Sequence, residues 1–256
     1  MKVCMYYRYM KTTCEQCQVK VVNRSEAKYC SRDCSLLARL QKERDPNFWD
    51  DPTVTEEFKF YYLGLIWADG CLSRHGKDKS LKRVSLNMGD LDLMKSIHEV
   101  VAPNRKMYVQ RAKFDAHADN YSVITTNKKV VSRLEQFGLT ERKSYSIVVP
   151  NLDDVQMKNF TRGYFDGDGS IWHKPTNGIY YYRMNFTSGS KLFLKQMADY
   201  HVGYDWKLSG DSRKTNNSWY LYLNKQDQIK RFCEYMYSGT TWKLDRKNKF
   251  KADDIV

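Results

Sequence analysis

Two short stretches hold the residues best suited to chemistry: "FYYLGLIWADGCL", residues 60–72, and "FTRGYFDGDGSIW", residues 160–172. Each is a helix-like run that ends at a glycine, and the residue before that glycine is an acid, Asp69 in the first and Asp168 in the second. A carboxylate at a helix C-terminus meets the negative end of the helix dipole. Two such carboxylates brought together repel each other. A hard divalent cation, Mg²⁺ or Mn²⁺, relieves that repulsion through oxygen ligands.

A second set is made of cysteines. "CEQC" supplies Cys14 and Cys17, and "YCSRDC" supplies Cys30 and Cys34, with twelve residues between the pairs. Two close thiol pairs joined by a short loop meet the tetrahedral demand of a structural Zn²⁺. Four thiolates would close the coordination shell, so this metal clamps and does not catalyse. A disulfide framework would need an oxidising compartment, which nothing in the sequence supports. The basic run "SLLARLQKER" after Cys34 is expected to be a helix. The segment resembles small zinc-binding modules found beside nuclease domains in mobile-element and phage proteins.

The elements that must position the acids repeat. "YLGLIWADG" and "TRGYFDGDG" align Gly64 with Gly163, Asp69 with Asp168 and Gly70 with Gly169, at an offset of 99 residues. Downstream, "YSVITTNKKVVSRLEQFG" is echoed by "WYLYLNKQDQIKRFCEYMYSG", and "ERKS" by "DRKN". Both halves give the order helix, two strands, helix, two strands, helix. The expected fold is α+β: two pseudo-symmetric αββαββα repeats forming a saddle, plus a small N-terminal zinc module. The expected boundaries are 1–45 for the module with its basic helix, 46–54 for a linker, 55–152 for the first repeat and 153–256 for the second.

Glycine costs a helix interior about 1 kcal/mol relative to alanine, and the duplication gives these glycines a purpose. Gly64 with Ala68, and Gly163 with Gly167, lie four apart on one helix face. Small residues there let two helices pack backbone to backbone, which sets Asp69 and Asp168 at the same level. Thr53 with Glu56 is expected to box the first helix start, and Asp153 to cap the second.

Charge points to the partner. The chain of 256 residues has 43 basic and 30 acidic side chains, a formal net charge of +13, and 14% aromatic residues. An excess of this size suits a polyanion, nucleic acid before a membrane. No apolar run long enough to span a membrane and no signal-peptide pattern is present, so an intracellular protein is expected.

These features together resemble the LAGLIDADG homing endonucleases in their single-chain, two-repeat form. The likeness covers about residues 55–256 and includes the motif pair, the repeat length, the element order and the "RKS" segment. It implies a metal-dependent DNA endonuclease with the metal set Asp69, Gly70, Asp168 and Gly169. Lys143 and Lys247 would act beside the acids on water or on phosphate charge. The sixth motif position holds Trp67 in one repeat and Asp166 in the other, so the halves are not equivalent. The resemblance further implies a monomer on a long asymmetric double-stranded target, cut to short 3′ overhangs for intron or gene homing. The compartment would be the cytoplasm of a bacterium or phage-infected cell, or an organelle. The strands after each motif interleave bases with aromatics: Arg74, Lys79, Arg83, Arg111 and Lys113 in one half, His173, Lys174, Arg183, Arg213 and Lys214 in the other. A sheet lined this way suits the major groove. An intron RNA maturase and a non-cutting DNA-binding regulator are the alternatives on the same fold.

Overall fold

The computed structural model describes residues 12–15, 17–18, 21–22, 28–36, 45–75, 81–112, 119–176, 179–210 and 218–247. The chain divides into two compact units, residues 1–45 and 46–256. In the first unit, β1 (Thr12–Thr13) pairs antiparallel with β2 (Val21–Val22). Residues 32–36 are helical, and the Cys34 N–H donates to Ser31 Oγ at 3.1 Å to cap that turn.

The second unit is the duplicated domain. Its first repeat runs α1 (Glu56–Asp69), β3 (Gly70–His75), β4 (Leu81–Met88), α2 (Leu91–Val101), β5 (Tyr108–Gln110), β6 (Asn120–Thr125) and α3 (Lys128–Gln136). The second repeats that order as α4 (Asp154–Asp168), β7 (Gly169–Thr176), β8 (Ile179–Ser188), α5 (Lys191–Tyr200), β9 (Lys207–Gly210), β10 (Trp219–Leu223) and α6 (Gln226–Tyr237). Each repeat forms one four-stranded antiparallel sheet, in the orders β3-β4-β6-β5 and β7-β8-β10-β9.

Helix α1 starts at Thr55, whose side chain accepts from the Phe58 N–H at 3.2 Å, and Glu56 and Glu57 complement the dipole of the first turn. The expected box at Thr53 is not the cap, because the Thr53 hydroxyl donates instead to Asp51 Oδ1 at 2.7 Å. The expected cap on α4 is present: Asp153 and Gln156 form a full capping box. Residues 46–54, expected as a linker, carry Phe48 into the core, where its ring lies 5.3 Å from Tyr62 and 5.6 Å from Phe58.

Nearly every side chain of α1 from Phe60 to Trp67 is buried. A helix apolar all round belongs at the centre of a fold, and α1 lies there against α4. The contact is backbone to backbone. A Cβ on Gly64 would stand 2.1 Å from the Phe160 carbonyl oxygen, and one on Gly163 would stand 2.0 Å from that of Tyr61. Leu72, Val84, Leu86 and Val123 of the first sheet and Ile171, Met184, Phe186 and Leu221 of the second turn inward to cover this core.

Candidate active site

Both central helices stop at their acids. Gly70 and Gly169 follow as caps, their N–H groups bonded to the carbonyls of Ile66 and Phe165, and a strand begins at once. A Cβ at Gly70 would meet the Ile66 carbonyl oxygen at 2.5 Å, and one at Gly169 would meet the Phe165 ring at 2.1 Å. A Cβ at Gly167 would lie 2.3 Å from that of Ala68 and 2.8 Å from Asp69 Oδ2. The carboxylate of Asp69 therefore rests on α4 one residue short of Asp168. Both acids are half-buried. Burial first, and then the Asp168 charge, push the Asp69 carboxyl up to about 6. Burial also raises Asp168, against the pull of Lys143 and Lys247.

The two lysines sit where the echoed "RKS" and "RKN" segments return to the helix ends. Lys143 begins a short 3₁₀ turn, Lys143–Tyr145, entered through a left-handed Arg142 with φ 58°. Its Nζ donates to the carbonyls of Trp67 at 2.6 Å and Ala68 at 2.8 Å. Lys247 Nζ donates to Phe165 at 3.0 Å, Gly167 at 2.7 Å and Gly169 at 2.8 Å. Each ammonium thus closes the carbonyl end of one central helix, as cations do at helix C-termini. Both are almost fully buried. Burial lowers both lysines, Lys247 to about 8, while the two acids pull them back up. An ammonium has three donors; all those of Lys247 go to carbonyls, and Lys143 retains one among the described residues. The Gly169 carbonyl, expected in the metal set, already has Lys247 as a partner.

The sixth motif residues tie down the lysine segments by different chemistry. Trp67 Nε1 donates to the Val148 carbonyl at 2.9 Å. Asp166 accepts from the Leu244 N–H at 2.8 Å and from the hydroxyls of Tyr61 and Tyr237 at 2.8 and 2.6 Å. Beside it the fully buried Arg162 donates to the carbonyls of Trp242 and Met236 and to Glu57. Glu57 Oε1 also takes the N–H groups of Thr241 and Trp242. The roles of Arg162, Glu57 and Tyr61 are not legible in the sequence alone. A charged residue at a buried position of a central helix was the available signal, visible only once α4 is known to be enclosed.

The sheets sort the expected DNA-contact residues by strand parity. Arg83 and Arg183 are exposed on the outer faces. Arg83 Nε donates to Ser73 Oγ at 3.0 Å, and the Arg183 guanidinium lies 5.3 Å from the centre of the Trp172 ring. Tyr181 shares that outer face, and Tyr220 and Tyr222 stack on it at 5.8 Å. Arg74 and His173 fall on the opposite, helix-facing side. Arg74 has the parity of buried Leu72 and pairs with Glu141 at 2.6 Å, and His173 lies 5.5 Å from the buried Tyr182 ring. Arg111 is exposed just past β5. Lys79, Lys113, Arg213 and Lys214 lie outside the described residues, and of Lys174 only the backbone in β7 is described.

In the first unit, the ligand atoms of Cys14, Cys17, Cys30 and Cys34 lie within 4.8 Å of one another. Cys30 Sγ is 3.7 Å from Cys17 Sγ and 3.6 Å from Cys34 Sγ. A tetrahedron with Zn–S bonds of ~2.3 Å needs sulfurs ~3.8 Å apart. The four-cysteine cluster fits zinc.

No described helix is long and apolar enough to cross a membrane. Residues 156–237 match the model of the LAGLIDADG-like domain. No curated protein matches the chain. Among solved structures, mesophilic variants of the homing endonuclease I-DmoI are 18% identical with a TM-score of 0.50, over 72% of this chain and 97% of that one. The N-terminal LAGLIDADG domain of DUF199/WhiA is 18% identical with a TM-score of 0.46, over 80% of this chain and 91% of that one. I-SmaMI bound to uncleaved DNA target in the presence of calcium ions is 13% identical with a TM-score of 0.46, over 69% and 84%. Residues 156–237 are thus a LAGLIDADG-like domain, and the two repeats between Glu56 and Tyr237, which present that domain's element order twice, have the LAGLIDADG fold.

Proposed function

We propose that the chain is a site-specific endonuclease that hydrolyses double-stranded DNA at the joined ends of α1 and α4. One observation carries this reading: Asp69 and Asp168 meet there, half-buried and mutually repelling, with a buried lysine behind each helix end. Structural carboxylates gain nothing from such crowding, whereas a cation site requires it. The donor set is hard oxygen and suits Mg²⁺ or Mn²⁺, with Asp69 and Asp168 as the residues that would hold it. When bound, such an ion supplies positive charge to the oxygens exchanged at phosphorus.

The remaining steps belong to the chain. Lys143 keeps one N–H that can be given to a phosphate oxygen, where a preorganised donor stabilises developing charge. Lys247, with every donor spent, holds the end of α4 in place. Arg83 and Arg183 on the outer sheet faces set the phosphate register, and Trp172, Tyr181, Tyr220 and Tyr222 lie against groove edges. The two faces differ in composition, which fits a monomer on a long asymmetric site. Short 3′ overhangs, intron or gene homing and an intracellular setting complete the reading.

The test is cleavage of target-bearing plasmid with Mg²⁺, using the DNA that flanks the gene with the insertion removed. Asp168→Asn should abolish double-strand cutting and leave binding in place. Cutting by Asp168→Asn would refute the assignment. Tight binding by the wild-type chain without cutting would favour a regulator, and rescue of intron splicing would favour a maturase.

A further inference from the structure

Helix α2 begins at Asp90, and this carboxylate does not behave as an N-cap. An aspartate at that position ordinarily accepts from a first-turn N–H; Asp90 makes no such bond. Its oxygens take Arg246 instead, Nε to Oδ1 at 2.7 Å and Nη2 to Oδ2 at 2.8 Å. The matching helix of the other half, α5, begins at Ser190. Ser190 accepts from the Phe193 N–H at 3.2 Å and also donates to the Ile147 carbonyl at 2.8 Å. In each half, the N-cap residue after the second strand holds the lysine-bearing segment of the opposite half. Ser190 does this and still caps its helix, but Asp90 gives up the cap altogether.

Arg246 directly precedes Lys247. Upstream, residues 241–244 are tied by Glu57 and Asp166 through the N–H groups of Thr241, Trp242 and Leu244. Among the described residues neither acid bonds beyond Leu244; from there the Lys247 N–H donates to the Leu244 carbonyl at 3.0 Å, and the Asp90–Arg246 pair joins this end of the segment to the first repeat. We propose that Asp90 and Arg246 are positioning residues: their bidentate ion pair latches the 241–247 segment onto the first repeat and so seats the Lys247 ammonium at the end of α4. The effect on cleavage rests on the nuclease reading above; the seating itself does not.

The discriminating variant is Asp90→Ser, which can cap α2 but cannot hold the guanidinium. In the full chain, without DNA or metal, the acetylation rate of Lys247 is followed by mass spectrometry. Asp90→Ser and Arg246→Gln should each raise that rate by about fivefold, the upper range for a partly exposed ion pair. The unfolding midpoint of Asp90→Ser should not fall. The charge-swapped double variant Asp90→Arg/Arg246→Asp should restore protection. If the chain cuts DNA, both single variants should lower kcat and leave KM in place. Unchanged Lys247 protection in both single variants would overturn the latch, as would a charge swap as reactive as they are. Because acetylation is read without DNA, a chain that never cuts would refute the nuclease reading while leaving this test intact.

Discussion

The Tyr61 hydroxyl of α1 donates to Asp166 Oδ2 of α4 at 2.8 Å, joining the repeats by a hydrogen bond inside their shared core. Asp166 is fully buried and has two further donors, Tyr237 and the Leu244 N–H. Burial raises its carboxyl, and these three bonds pull it back. Trp67 fills the matching place in α1 with an aromatic ring and a single N–H donor. One repeat is held by a charged network and the other by a neutral one.

Replacing Asp166 with leucine would leave three buried donors without an acceptor. Each costs roughly 1–3 kcal/mol when orphaned, so Asp166→Leu should lose about 3–5 kcal/mol of unfolding free energy, near the extreme for one substitution. Urea unfolding measures this. A loss below about 1 kcal/mol would mean the network does not hold the fold.

The Gly163 position tests the close approach of α1 and α4. Its Cβ would meet the Tyr61 carbonyl, a backbone atom that cannot rotate aside. Overpacking a core usually costs 1–3 kcal/mol, and Gly163→Ala should lie at or above about 3 kcal/mol. Gly203, with φ +86° and open space around its Cβ position, is a control in which only backbone strain applies. Thermal unfolding of the two variants should separate them, Gly163→Ala being much the lower.

The cysteine cluster should hold one Zn²⁺ per chain by elemental analysis. Chelation should expose four additional thiols to a colorimetric thiol reagent, those of Cys14, Cys17, Cys30 and Cys34. Cys30→Ser should remove the metal, because Cys30 lies within 3.7 Å of two of its partner sulfurs. Metal retained at full stoichiometry in Cys30→Ser would place the zinc elsewhere.

His201 should give the fold an acid limb. It is buried at the end of α5, Nε2 lies 3.0 Å from Thr161 Oγ1, and burial lowers it to about 4. The unfolded chain takes up this proton near pH 6.5 and the native chain does so only near 4. Its contribution is therefore complete above pH 6.5 and is lost as pH falls toward 4, by up to about 3 kcal/mol. The difference in unfolding free energy between the wild-type chain and His201→Gln, followed from pH 7 to 4, isolates this effect. A pH-independent difference would refute it.

Much of the architecture follows from the sequence alone. The 99-residue repeat, the order of helices and strands, the glycine-lined helix pair and the two acids at its end all come from local patterns and their recurrence. Such features depend on neighbours three or four residues away, or on a second copy to compare with. The four cysteines belong to this group, since their spacing already implies a tetrahedral site.

Only the tertiary structure decided the rest, because the deciding partners are far apart in the chain. Asp166 and Tyr61 are 105 residues apart, and Asp90 and Arg246 are 156. Strand register placed Arg74 and His173 on the helix side of their sheets and Arg83 and Arg183 on the outside; a one-residue alternation fixes a face only after burial shows which parity is inside. A lysine on a long flexible stem can serve water, phosphate or carbonyl, and only folding of the 141–147 and 241–247 segments onto the helix ends committed Lys143 and Lys247 to carbonyls.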